Sequence, residues 1–314
     1  MARRHFPLVL ATCVVVVGVG MVGTAVYGQL NGGGPGSGAN GAPTVSTSPT
    51  PPPPPPPPTL QATTVTVATP KGGFFSWAFY DRRTNEMAGS ANSATKTNST
   101  ESMIKAWFAS DYLRRLGAKQ PSTTALNHIK AAIQQSNDDS ANWLYKADGG
   151  SSSIKRLVTM CGLKGTKTNS KGWAYTTMTA QDAVRMGVCI GNGTAAGATW
   201  TDHVLEVMRG VKGTTAAKDQ QRRTGGGRWG IIDGLPANLV PETSIKNGWT
   251  LLFADGLWHV NCLAIHQDWV LAVQVRIKAV KLSLGQKDSA GLTAAAKICS
   301  TVATQLTYQA PAAS

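Results

Sequence analysis

The 314-residue chain is 42% hydrophobic and 15% charged, with 30 Lys+Arg against 16 Asp+Glu and a formal charge of +14. That composition excludes a wholly disordered protein and a polytopic membrane protein. The first carboxylate is Asp81 and 11 of the 17 prolines fall between Pro35 and Pro58, so the folded part begins near residue 60 and has roughly 250 residues, enough for a sizeable core.

Residues 7–27 (PLVLATCVVVVGVGMVGTAVY) carry no charge, and about 20 apolar residues suffice to cross a bilayer as a helix. Arg3 and Arg4 precede the run and no charge follows until Lys71. The positive-inside bias therefore sends the rest of the chain across the membrane. Residues 1–30 are read as a signal-anchor, with a cleaved signal peptide as the alternative; both export the domain. Cys13, with more of the apolar run after it, is read as a membrane-buried residue and not as a lipid-modified N-terminus. Residues 31–59 are a Gly/Ser/Thr/Pro-rich linker ending in Pro51 to Pro58. Eight prolines in polyproline II make a stiff stalk of roughly 25 Å.

Within residues 60–314, Gly73–Tyr80 and Met87–Ala91 read as a hairpin closed by Arg82-Arg83-Thr84-Asn85. From Ser99 the period changes: Met103, Ile104, Trp107, Phe108, Tyr112, Leu113 and Leu116 mark an amphipathic helix ended by Gly117. Helical patterns follow at about 123–135, 139–146, 153–161 and 199–209, and Thr179 with Asp182 forms a capping-box arrangement. Strands return at Thr243–Phe253, Leu257–His266 and Trp269–Ile277, and 289–308 reads as a closing helix. Two strands, a helical block, three strands and a helix imply an α+β domain whose antiparallel sheet is completed by distant segments. Cys161, Cys189, Cys262 and Cys299 permit two disulfides in an oxidising compartment, in any of three connectivities, and Cys262–Cys299 is the favoured pair.

Three short motifs carry chemistry. Ser102-Met103-Ile104-Lys105 puts a serine and a lysine on one face of a helical start, where a lysine of lowered pKa can take the serine proton. Alone the spacing says little, because Ser93–Lys96 and Ser152–Lys155 share it. Ser136-Asn137-Asp138 lies between two helical patterns, and Lys246-Asn247-Gly248-Trp249 lies in a strand whose glycine allows close approach to the backbone. A nucleophilic serine, a hydroxyl on a second element and a lysine on a sheet edge are what acyl transfer from an amide requires.

Over about residues 70–310 these motifs and the closing strands resemble the penicillin-recognising serine enzymes, the class A β-lactamases and D,D-peptidases. The resemblance implies a β-lactamase/transpeptidase-like fold: an antiparallel sheet flanked by helices, plus an all-helical subdomain. It implies Ser102 as the acylated nucleophile, Lys105 as its base partner, Ser136 as the relay to the leaving nitrogen and Lys246 as the group that polarises Ser136. The N–H groups of Ser102 and Trp249 would form the oxyanion hole. Asp138, Asn247, Gly248 and Trp249 would contact substrate, Asn247 standing where the family uses Thr to hold a carboxylate. The expected substrate is a β-lactam or a peptidoglycan peptide ending in D-Ala, with no cofactor and no metal.

Four departures qualify the resemblance. The second motif usually ends in Asn, and Asp138 cannot donate the amide hydrogen bond; beside Lys105 it would stabilise the ammonium and oppose its use as a base. Asn137 could take over if the loop were shifted by one residue. Asn247 replaces Thr, and Trp249 is bulky for its position. No Asp or Glu lies between Asp148 and Asp182, where class A β-lactamases keep the glutamate that hydrolyses the acyl-enzyme, and Glu242 is in the wrong place for that role; acylation without fast deacylation follows. The alternative is a non-catalytic wall-binding domain that keeps the fold.

Other patterns are read without chemistry. Gly225-Gly226-Gly227-Arg228-Trp229-Gly230 matches G-x-G-x-x-G but follows no strand, and reads as a flexible loop. His128, His203, His259 and His266 read as surface or core polar residues, and Asp138-Asp139 as helix capping. Basic residues are scattered without a long run, which disfavours nucleic acid; anionic wall polymers or lipid headgroups suit the charge better.

Overall fold

The computed structural model describes residues 59–221, 223–279 and 289–308. The apolar run 7–27 and the proline tract lie outside them, and no helix among the described residues is long and apolar enough to cross a membrane.

The expected hairpin is β2 (Phe74–Asp81) and β3 (Glu86–Gly89), preceded by a short β1 (Thr59–Leu60). After β4 (Thr97–Ser99) the chain enters a 3-10 turn, Glu101–Ile104, and then α1 (Lys105–Leu116), which Gly117 ends. α2 (Thr123–Gln134), α3 (Asp138–Ala147) and α4 (Ser151–Met160) follow. Next come β5 (Thr177–Thr179), α5 (Ala180–Gly191) and α6 (Ala198–Arg209). The chain closes through β6 (Ser244–Ile245), β7 (Gly248–Leu252), β8 (Leu257–Ile265), β9 (Trp269–Lys278), α7 (Ser289–Leu306) and β10 (Thr307–Tyr308). The Thr179 hydroxyl caps α5 by accepting from Asp182 N at 3.1 Å, as the capping pattern predicts.

The main sheet is antiparallel in the order β3-β2-β9-β8, and β6 and β7 share the free edge of β8. Ser244 pairs Ile265 and Gly248 pairs Asn261, so one unbroken register runs through Lys246 and Asn247, whose strand is the single one read at 243–253. Alternate residues of a strand face opposite ways. Leu263 and Ile265 face Gly187 of α5, while Cys262 is bonded to Cys299 of α7. Helices therefore cover both faces, which is why β8 and β9 are almost wholly buried. Beside the sheet, α1 is wrapped by α2, α3, α4 and α6. It is buried continuously from Lys105 to Asp111, a central helix inside the helical layer. The α+β architecture matches the reading from sequence.

Two boundaries differ from expectation. Ser99 ends a strand paired with Thr177, so helical backbone starts at residue 101 and as a 3-10 turn. The last helix stops at Leu306 because Thr307 and Tyr308 pair with Leu60 and Thr59, a contact between distant segments. The favoured Cys262–Cys299 disulfide is present, and Cys161–Cys189 is the second.

One buried carboxyl bears on stability. Asp148, at the end of α3, is fully buried, and neither of its oxygens has a hydrogen-bond partner among the described residues, although Arg115 Nη1 lies 3.6 Å away. Burial, followed by the Asp111 charge, pushes its pKa up to about 8. A raised carboxyl favours the folded state only while protonated, so its contribution is present in acid and is lost as pH rises from its unfolded value toward 8. Asp148→Asn is expected to raise Tm over the parent by roughly 3–6 °C more at pH 8 than at pH 5. Thermal unfolding at the two pH values measures this, and an equal difference at both contradicts it.

Candidate active site

Ser102 sits on the 3-10 turn between β4 and α1, half-buried, and opens onto a cleft of about 250 Å³. Glu101, Ser136, Asp138, Trp173, Trp249 and Thr250 line the same cleft. The turn is tied to the sheet by Asn261 of β8, which donates to Ser99 O at 2.8 Å. Gly248 of β7 lies against it: a Cβ there would stand 2.4 Å from Met103 N and 2.8 Å from Ser102 N. The close approach that this glycine permits is therefore made by the protein's own serine turn, and not by a ligand as its place in the strand suggests.

The two lysines meet at Ser136. Lys105 Nζ donates to Ser136 O at 2.7 Å and approaches Ser136 Oγ at 3.5 Å. Lys246 Nζ, coming from the sheet edge, is 3.0 Å from Ser136 Oγ. Ser136 reaches this place through a left-handed backbone, φ 49°. Its neighbour Asn137 caps α3 by accepting from Ser140 N at 2.7 Å, so the loop is not shifted and Asp138 holds the third position of the motif. Asp138 Oδ1 accepts from Lys105 Nζ at 2.7 Å. Asp139, the other member of the pair read as capping, makes an ion pair with Arg223 at 2.5 Å.

Burial pushes the Lys105 amine down, against the Asp138 charge and hydrogen bond, which push it up. Lys246 is driven further down, first by complete burial and then by the Lys105 charge, with Asp138 opposing. The floor of the cleft thus favours neutral amines, and Asp138 is the group that resists this. Trp173, whose ring lies 5.3 Å from Lys105 Nζ, stands in the stretch that lacks carboxylates, and it and Ala174 form that wall of the cleft.

Asn247 departs from its expected role. It is buried, and its amide nitrogen donates to Gly227 O at 2.9 Å and to Trp229 O at 2.7 Å. Both donors are committed to a turn behind the strand, so Asn247 clamps the backbone where substrate binding was expected. That turn belongs to Gly225–Gly230, which is closely packed and not loose: a Cβ on Gly226 would stand 2.5 Å from Thr214 N. The preceding segment bridges the cleft wall. Asp138 N donates to Arg223 O and Gly225 N to Gln135 O, both at 2.9 Å. On the sheet side, Trp249 Nε1 donates to Gln220 Oε1 at 2.8 Å. Sequence reasoning missed Glu101, Trp173 and this bridge, since none belongs to a motif or a period.

His128, His203 and His266 stack on or abut tryptophans, as polar packing residues do. His259 differs in bridging two side chains through both ring nitrogens, Ser99 Oγ at 2.9 Å and Asp255 Oδ2 at 2.8 Å.

No protein-family model matches the chain. Among curated proteins it is similar to the putative lipoprotein LppW of Mycobacterium tuberculosis, 25% identical over 198 residues, which cover 62% of this chain and 60% of that protein. The chain thus matches about 60% of the length of these curated relatives. Among solved structures, the β-lactamase from Streptosporangium roseum superposes with a TM-score of 0.55 at 15% identity, covering 74% of this chain and 91% of that one. PBP-A gives 0.52 at 14% identity over 74% and 88%. The ancestral class A β-lactamase of Gram-negative bacteria gives 0.52 at 14% over 74% and 93%. The fold is therefore that of the class A β-lactamases and PBP-A.

Proposed function

We propose that this protein is an exported serine acyl hydrolase that forms an acyl-enzyme with β-lactams or with D-Ala-ending peptidoglycan peptides and releases it slowly. The observation that carries the reading is Ser136 Oγ held near both Lys105 and Lys246 in the cleft onto which Ser102 opens. Ser102 Oγ attacks the carbonyl carbon as its proton passes to a neutral Lys105 amine. Ser136 gives its proton to the leaving nitrogen and takes back the one that Lys105 received from Ser102, with Lys246 beside its hydroxyl. The N–H groups of Ser102 and Trp249 receive the oxyanion. Slow release is supported by the absence of any Asp or Glu between Asp148 and Asp182, the stretch whose Trp173 and Ala174 line the cleft.

Export rests on residues 7–27 as a signal-anchor. The curated relatives' description as a lipoprotein supports a membrane-attached location outside the cytoplasm. The 2.7 Å ion pair between Lys105 and Asp138 favours one competing reading, a wall-binding domain without turnover. Intact mass after incubation with a penicillin separates the two. An adduct of one penicillin that persists for hours is expected, and no adduct at millimolar penicillin would leave the binding domain. Rapid turnover of a chromogenic cephalosporin would contradict slow release.

A further inference from the structure

Glu101 precedes the nucleophile and is spoken for by nothing above. It lines the cleft, is 3% exposed and is held at φ 48°, a left-handed conformation that costs a side-chain-bearing residue about 1–3 kcal/mol. Its Oε1 lies 2.6 Å from Ser99 Oγ. Ser99 Oγ lies 2.9 Å from His259 Nδ1, and His259 Nε2 lies 2.8 Å from Asp255 Oδ2. Asp255 is 39% exposed, so an unbroken row of hydrogen-bonding groups runs from the cleft to the surface.

With Asp255 ionised, as its lowered pKa favours, the row has two proton arrangements. In one, Glu101 is protonated and donates to Ser99, Ser99 donates to Nδ1 of a neutral His259, and Nε2–H donates to the Asp255 carboxylate. In the other, Nδ1–H of a charged His259 donates to Ser99, and Ser99 donates to a Glu101 carboxylate. They interconvert when two protons move, with no change in total charge.

Resting on the acyl-enzyme reading above, we propose that Glu101 is the proton acceptor in hydrolysis of the acyl-enzyme, with Ser99 and His259 as positioning residues that take up its own proton. Water oxygen bonds to the acyl carbon as its proton passes to the Glu101 carboxylate. That proton goes to the Ser102 oxygen as the ester C–O bond breaks, which restores the carboxylate.

Ser99 Oγ donates to Glu101 Oε1 in the structure, and the surrounding charges act on both ends of the row. Burial raises Glu101; hydrogen bonds from Ser99 and Thr250 lower it, the Asp138 charge raises it and Lys105 lowers it. Burial lowers His259, the Asp255 hydrogen bond and charge raise it, and Arg276 lowers it. Burial opposes ionisation of Asp255, but hydrogen bonds from His259 and Leu257 N outweigh it and the carboxyl stays below its ordinary value. Burial thus opposes the carboxylate form of Glu101 and the charged form of His259, which limits the base available for hydrolysis.

The test uses the full chain, acylated by a penicillin and freed of excess reagent, with adduct lifetime followed by intact mass from pH 5 to pH 9. In the parent, decay accelerates with pH. In Glu101→Gln it is expected to slow by about 10²-fold and to lose its pH dependence. Ser99→Ala, which removes only a hydroxyl, is expected to move the rise to higher pH, since Glu101 must then release its proton to solvent. A Glu101→Gln adduct that decays at the parent's rate with the parent's profile overturns the role of Glu101. A Ser99→Ala profile that coincides with the parent's overturns the relay. A parent that never acylates removes the acyl-enzyme reading and this inference together, whereas acylation with a lifetime indifferent to Glu101 removes this inference alone.

Discussion

Ser102→Ala is expected to abolish covalent labelling by a fluorescent penicillin, with no band above background at concentrations that saturate the parent. The variant removes the only atom that forms the ester, and the remaining cleft residues bind without reacting. Because the side chain is half-buried and makes no hydrogen bond among the described residues, its loss leaves the fold intact, and the variant should melt within a few degrees of the parent. Persistent labelling would move the nucleophile elsewhere; Lys105 and Lys246 are the amines to map first by peptide mass.

Asp138→Asn is the second variant with a large effect, and its sign is opposite. The carboxylate at 2.7 Å stabilises the ammonium form of Lys105, which burial disfavours. With a neutral amide in its place the free amine is populated at lower pH, and a shift of one unit corresponds to about 1.4 kcal/mol. Acylation at pH 7 should therefore quicken by about tenfold, and the rising limb of its pH profile should move toward acid. At Lys246 the loss of Asp138 and the loss of the Lys105 charge act in opposite directions, so the effect falls chiefly on Lys105. The second-order labelling rate between pH 5 and pH 9 measures the effect. An unchanged or slower rate would mean that the ion pair assists the serine instead of restraining it.

What could be read from sequence depended on how local its cause was. The 3.6-residue period of Met103, Trp107 and Leu113 gave α1, and strand-like apolar runs gave β8 and β9. The Thr179–Asp182 pair gave the start of α5. The three motifs pointed to groups that share a cleft, because side-chain chemistry and element type restrict where such residues sit. What stayed hidden was set by pairing across the chain. Ser99 and His259 are 160 positions apart, so neither suggests the other, and His259 read as ordinary packing. Two three-residue strands, β4 and β5, are too short to leave a pattern, yet β4 ends just before Glu101 and its pairing with β5 fixes the approach to that turn. The inward amide of Asn247 depends on Gly227 and Trp229 closing behind it, which no periodicity records.

The Cys262–Cys299 bond gives the cleft a dependence on its surroundings. A Cβ on Gly230, which follows the carbonyl clamped by Asn247, would stand 2.9 Å from Cys262 Sγ. Both sulfurs are buried, so the intact sheet shields that bond from thiol reductants. A chain folded without it, as among cytosolic reductants, would keep its sheet but lose the covalent stay between α7 and β8 directly behind the lysine-bearing edge.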